Sequence, residues 1–168
     1  LSRRTPLPGA ASSSDEERWR SALLAEGLWG DALERGLATV GGAVKATLAE
    51  GGDGRWVLSA EHEAPRSEWR LSRLNEEGRV ADLIVDRTFI DRDSGVRWIV
   101  DYKNSQPGPG EAWEDFTSRE AEKYREQLER YRDTLRALGD QPIQCALFFT
   151  ARGALYTLPE LALGSVEG

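Results

Sequence analysis

The apolar positions of the 168-residue chain follow two rhythms in succession, first helical and then extended. From Ser14, the string S-D-E-E supplies an N-cap and first-turn acids. Trp19, Leu23 and Leu24 then form an apolar stripe to about Glu26, which predicts a short helix. Gly27 and Gly30 interrupt it. Leu33, Leu37, Val40, Val44 and Leu48 recur at steps of three and four, predicting a second helix over 31–48 stopped by Gly51-Gly52. The period then falls to two. Strands are predicted at Trp56-Val57-Leu58, 68–71, 79–90 and 96–100, with turns at N-E-E-G (75–78) and D-R-D-S-G (91–95), making an antiparallel meander of three or four strands. A Gly/Pro-rich loop at 104–111 precedes a helix over 118–138 that Gly139 ends. Strands at 144–150 and 154–158 follow. This order predicts an α/β (α+β) fold class, a central mixed β-sheet flanked by helices, with no internal repeat.

Length allows one domain with a core of its own. Residues 1–14 hold Pro6, Pro8, Gly9 and four Ser with little apolar content and read as a linker or tail; 15–160 read as the domain and 161–168 as a C-terminal tail. Twenty-two basic against 29 acidic side chains leave a net charge of −7, which argues against a protein that coats nucleic acid through bulk positive charge. A local basic groove stays open, since eight of the 22 basic residues fall in 60–103. One Cys and one His exclude a disulfide framework, a zinc knuckle and a multi-histidine cluster within this chain, so any metal is held mainly by oxygen. No apolar run approaches the roughly 18 residues of a membrane span, and no signal-peptide core is present. The sequence has no Met and begins at Leu1, so it is expected to be part of a longer polypeptide. Only Lys45, Lys103 and Lys123 are lysine, against an arginine background, which singles out a Lys at a chemically loaded position.

Such a position exists. Asp82 lies in the apolar string A-D-L-I-V, and Asp101 ends the next strand, so a hairpin can bring the two carboxylates together. Lys103 shares a face with Asp101, while Tyr102 turns away and leaves its carbonyl along the sheet. Two carboxylates and a carbonyl make an oxygen-only site suited to Mg²⁺ or Mn²⁺. Lys103 can activate water or neutralise charge growing on a phosphorus centre. As a solvent-exposed pair, D-x-K would contribute only about 0–1 kcal/mol and carry no function. A carboxylate on a buried strand is costly, which weighs toward a metal at Asp82. Asp86, four residues on and on the same face, competes but ranks lower because Arg87 or Arg97 is expected to pair with it. On the following helix Tyr124, Gln127, Leu128 and Tyr131 share a face with Leu135. Most of that stripe is core; the Gln127 amide needs partners, and the two Tyr hydroxyls, a DNA phosphate or the metal site can supply them.

The ordered set G-x-x-x-D (78–82), I-V-D-Y-K (99–103) and Y-x-x-Q-x-x-x-Y (124–131) resembles the RecB-like branch of the PD-(D/E)XK nuclease superfamily. In particular, R-T-F-I-D-R-D-S-G-V-R-W-I-V-D-Y-K-N-S is similar to the C-terminal nuclease domain of UvrD/Rep-type helicase-nucleases. The resemblance implies a restriction-endonuclease-like core and a Mg²⁺- or Mn²⁺-dependent deoxyribonuclease of DNA recombination and repair in the bacterial cytoplasm. It implies metal ligation by Asp82, Asp101 and the Tyr102 carbonyl, catalysis by Lys103, and DNA contact or site support by Gln127, Tyr131 and Tyr124. The partners implied are DNA, as single strands emerging from a helicase, and a helicase motor in the same parent chain or complex. One departure stands out: the family's further ligand on the N-terminal helix is commonly His or an acid, and 31–48 has no His. Glu34, His62 and Glu68 are the substitutes on offer. That gap motivates one rival, a degenerate nuclease fold that only holds DNA or a helicase partner; a second rival is a structural docking module whose Asp and Lys are plain ion pairs.

Overall fold

Helix α1 (Ser13–Ala25) starts inside the stretch expected to be tail. Ser12, rather than Ser14, is its N-cap: the Asp15 N–H donates to Ser12 Oγ and the Ser12 N–H to Asp15 Oδ2, a capping box that fixes the first turn. The computed structural model describes residues 11–74 and 78–164. Within them the chain divides into two units, one comprising the chain up to Ser59 together with Phe149–Ala154, the other Ala60–Phe148 together with the chain from Leu155 on.

In the first unit α1 lies on α2 (Gly30–Thr47), and a Cβ at Gly36 would come within 3.2 Å of Leu23 and Leu28. The expected strand at Trp56-Val57-Leu58 is instead the end of a short helix, α3 (Asp53–Val57). Three local features override the β-propensity of those residues. Gly52 takes the N-cap and Asp53 the first turn. Arg55 Nε donates to the Leu48 carbonyl at 2.8 Å, satisfying the end of α2. Gly54 touches α2 so closely that a Cβ would lie 2.1 Å from the Thr47 oxygen. The turn at Gly153 (φ +67) presses on the same helix end, 2.3 Å from the Ala46 oxygen by the same measure.

The second unit carries the sheet. Its strands are β1 (Glu63–Leu74), β2 (Val80–Ile90), β3 (Arg97–Lys103), β4 (Ile143–Phe149) and β5 (Ala154–Leu163), hydrogen-bonded in sequence order. β1, β2 and β3 form the expected antiparallel meander. Of the turn expected at 75–78, residues 75–77 lie outside the described residues. The turn after β2 forms on Asp91, whose carbonyl accepts the Gly95 N–H and whose carboxylate accepts the Ser94 N–H. α4 (Trp113–Arg136) then carries the chain to β4. The Arg97 N–H donates to the Pro142 carbonyl at 2.8 Å, so β3 and β4 begin side by side and run parallel, as a helical crossover requires. The sheet is mixed and the fold class is α/β. β4 is buried almost throughout, as a strand flanked on both edges should be. α4 starts five residues earlier than expected because its N-cap is Ala112, which has no capping side chain to announce it; Glu114 and Asp115 supply the first-turn charge. β5 runs into the segment expected as tail and buries Leu161, and Pro159 is tolerated on this outer strand. Among the described residues no helix is long and apolar enough to cross a membrane.

Candidate active site

Every residue below belongs to the second unit except Glu34 and its partner Arg20. The β2–β3 ladder pairs Ile90 with Arg97 through Arg87 with Val100 and stops there. Extending that register by one step sets Asp86, not Asp82, opposite Asp101. Asp86 Oδ2 accepts the Tyr102 N–H at 2.9 Å, which ties the Asp86 side chain to the strand that carries Asp101 and Lys103. The β1–β2 ladder also steps over Asp86: Ser67 pairs with Arg87 and Trp69 with Val85, while Glu68 between them adopts φ +48. Strand irregularities of this kind re-aim side chains, and here the opening lies at a carboxylate.

Asp82 is not brought to this point. It sits four residues farther along β2, about 13 Å at the rise of an extended strand, on a part of the hairpin that has no β3 neighbour. Its side chain is exposed and accepts the Ser72 hydroxyl at 2.7 Å. The apolar string around it does not bury it, because the β1–β2 ribbon extends past the end of the β3 ladder. One of the two arginines expected to pair with Asp86 is turned from it. Arg87 is the next residue on the strand, so it points to the other face, where its Nη1 donates to Ser67 Oγ at 3.2 Å and its guanidinium lies over Phe89.

Asp101 is the best buried acid of the group, 2% exposed. Its Oδ1 accepts the Gln127 amide at 2.8 Å, and the same amide nitrogen lies 2.8 Å from the Tyr131 hydroxyl oxygen. The helical face Tyr124–Gln127–Tyr131 thus reaches the β3 carboxylate directly. Lys103 Nζ lies 2.5 Å from Asp101 Oδ2 and 3.4 Å from the centroid of the Tyr124 ring. The contact with Oδ2 carries charge but lacks the alignment of a hydrogen bond, which leaves this buried oxygen without an aligned donor. Burial raises the Asp101 pKa above the usual carboxylate range; Lys103 opposes the rise and the Asp86 charge adds to it. Tyr131 is likewise shifted up, by burial first, against the Gln127 hydrogen bond, and by the charges of Asp101 and Asp86. It is a neutral phenol at neutral pH. The Tyr102 ring lies on the other face, edge-on to Phe148 at 5.9 Å, and burial raises its pKa too.

The donor set fits a hard divalent cation in kind. The Asp86 charge lies close enough to disfavour ionisation of Asp101, and one buried carboxylate oxygen lacks an aligned donor. Asp86 and Asp101 are the residues that would hold such an ion. Among the described residues no group of three His, Cys, Asp or Glu side chains converges to hold a metal. Glu68 is exposed. His62 is buried, stacked on Phe89 at 3.9 Å and with Nδ1 3.9 Å from Asp91 Oδ1. Glu34, in the first unit, pairs with Arg20 at 2.9 Å.

The sequence reading overlooked Glu120. It is 1% exposed on α4, seven residues before Gln127, and its Oε2 accepts the Ser105 hydroxyl at 2.7 Å while Oε1 accepts Arg119 Nη1 at 2.9 Å. Arg119 also grips Glu111 with Nε and Nη2, so the loop after Lys103 is strapped to the first turns of α4. The signal was present in the 3.6-residue spacing, one turn before Tyr124. No protein-family model matches the chain, and no curated protein matches it in sequence.

Proposed function

We propose that this chain is a divalent-metal-dependent DNA nuclease domain of the RecB-like PD-(D/E)XK kind, which hydrolyses phosphodiester bonds in single strands. In this reading a helicase motor in the same parent chain or complex delivers the strand. The observation that carries the proposal is the β2–β3 register, which sets Asp86 beside Asp101 with Lys103 on the same face and Gln127 and Tyr131 reaching in from α4. A bound Mg²⁺ or Mn²⁺ supplies Lewis-acid polarisation of the phosphate. Asp86 and Asp101 hold the cation. The Lys103 ammonium, fixed between Asp101 and the Tyr124 ring, stabilises negative charge that develops on the phosphate oxygens. Gln127 holds the Asp101 carboxylate in one orientation, and the strap from Arg119 to Glu111 and Glu120 steadies the loop that follows Lys103.

The test is cleavage of labelled single-stranded DNA by the purified protein with Mg²⁺ or Mn²⁺, compared with Lys103→Ala and with chelator. Metal-dependent cleavage that Lys103→Ala loses supports the reading. Intact DNA after prolonged incubation with wild type and either metal overturns it. The second reading, a nuclease fold that only holds DNA, draws on the count of two carboxylates at the site, and metal-dependent cleavage eliminates it.

A further inference from the structure

Two of the chain's three lysines meet on one aromatic ring. Lys103 Nζ lies 3.4 Å, and Lys123 Nζ 4.8 Å, from the Tyr124 ring centroid, so the two ammonium nitrogens are at most about 8 Å apart. Both distances are within cation–π range, and the ring holds the two like charges near each other. Their surroundings differ. Lys103 is 14% exposed and turned to Asp101, whereas Lys123 is 57% exposed. Glu120 Oε1 lies 3.9 Å from Lys123, but that oxygen already accepts Arg119 at 2.9 Å, so Glu120 orients Lys123 without neutralising it alone. Tyr124 and then Glu120 raise the Lys123 pKa, so it is an ammonium at any physiological pH. In a chain whose other cations are nearly all arginine, two compact, rotatable point charges on one ring match the phosphate oxygens of a strand.

We infer that Lys123 is a phosphate-binding residue of this site, taking the phosphate adjacent on the same DNA strand to the one that faces Lys103, with the Tyr124 ring as spacer. The inference rests on the nuclease reading for the identity of the strand. It adds a substrate requirement: the ligand is an oligonucleotide with at least two consecutive charged phosphates, recognised without regard to base.

The test has a binding arm and a cleavage arm. Anisotropy of a fluorescent oligothymidylate is measured with Ca²⁺ in place of the catalytic metal at several salt concentrations. Lys123→Ala should weaken binding roughly fivefold at low salt, the weight of one exposed ionic contact. It should also flatten the log–log salt slope by about 0.7, as expected for one lost single-strand phosphate contact. Lys123→Arg should restore the slope. Wild-type affinity and slope in Lys123→Ala, or no binding by wild type, overturns the inference. In the cleavage arm, single uncharged methylphosphonate linkages scan the strand. Wild type should be slowed by one placed next to the scissile bond, and Lys123→Ala should be indifferent to it. A Lys123→Ala protein that still senses that linkage overturns the inference. Absence of any cleavage with the binding differences intact sinks the nuclease reading and leaves the phosphate contact standing.

Discussion

Replacing Asp101 by Asn should stabilise the metal-free protein at neutral pH. Asp101 is almost fully buried and its carboxyl pKa is raised, because desolvation and the Asp86 charge together outweigh the attraction of Lys103. A raised folded-state pKa means that the protonated form is preferred on folding. The associated stability is complete below the unfolded carboxylate pKa of about 4 and is lost as pH rises through the folded value. Asn reproduces the neutral form, keeps an oxygen for the Gln127 amide and removes the repulsion with Asp86. It also deprives Lys103 of its partner, a loss limited because the ammonium keeps its contact with the Tyr124 ring and the asparagine keeps a carbonyl oxygen, so the net gain is small, about 1 kcal/mol. For a chain of this size that is a rise of roughly 2–4 °C in Tm. Thermal melts in chelator at pH 4 and pH 7 give the answer. Asp101→Asn should melt higher than wild type at pH 7, with the gap closing toward pH 4. A lower Tm for Asp101→Asn at pH 7, or a gap independent of pH, would refute the reasoning that the buried carboxylate is held against its own preference.

Three further outcomes follow from the same geometry. Mn²⁺ at a hundred times its Kd should add about 2.7 kcal/mol to the stability of wild type at pH 7; an equal thermal shift in Asp101→Asn would place the ion elsewhere. Gln127→Ala removes the amide nitrogen that contacts both Asp101 and Tyr131 and should cost about 2 kcal/mol, or roughly 4–8 °C, in chelator; an unchanged melt would show that the amide is dispensable. Cys145 is fully buried and its thiol is pushed up to about 12, so a disulfide reagent should label the native protein at least about a hundredfold more slowly than the unfolded chain; rapid native labelling would contradict the packing of β4.

The sequence was most legible where periodicity and chemistry coincide. The spacing Tyr124–Gln127–Tyr131 predicted a helical face, and that face reaches Asp101. The alternation Asp101–Tyr102–Lys103 predicted a shared acid and lysine face, and Lys103 meets Asp101 there. Period-two reasoning also placed Arg87, the residue next to Asp86, on the opposite face of β2. What decides which β2 carboxylate lies beside Asp101 is the hairpin register, Ile90 opposite Arg97, which the turn at 91–95 sets and which the apolar pattern of the strands alone does not display. The failure at Trp56-Val57-Leu58 has a similar origin: β-forming side chains follow a glycine cap and a close approach to the Thr47 carbonyl that only the folded chain reveals. Glu120 was passed over because a charged residue on an amphipathic helix is normally solvent-facing, and its burial depends on Ser105 and Arg119 arriving from the loop and the adjacent position.

The central claim is that Asp86 and Asp101 together hold the metal that serves DNA hydrolysis. The most direct measurement is the Mn²⁺-dependent cleavage rate of a single-stranded oligonucleotide by wild type, Asp86→Asn and Asp82→Asn, with folding checked by thermal melting. The account predicts that Asp86→Asn loses at least about a thousandfold in rate, on the scale of removing one member of a catalytic unit, while Asp82→Asn cleaves within a few-fold of wild type. Full activity in Asp86→Asn with loss in Asp82→Asn would contradict it.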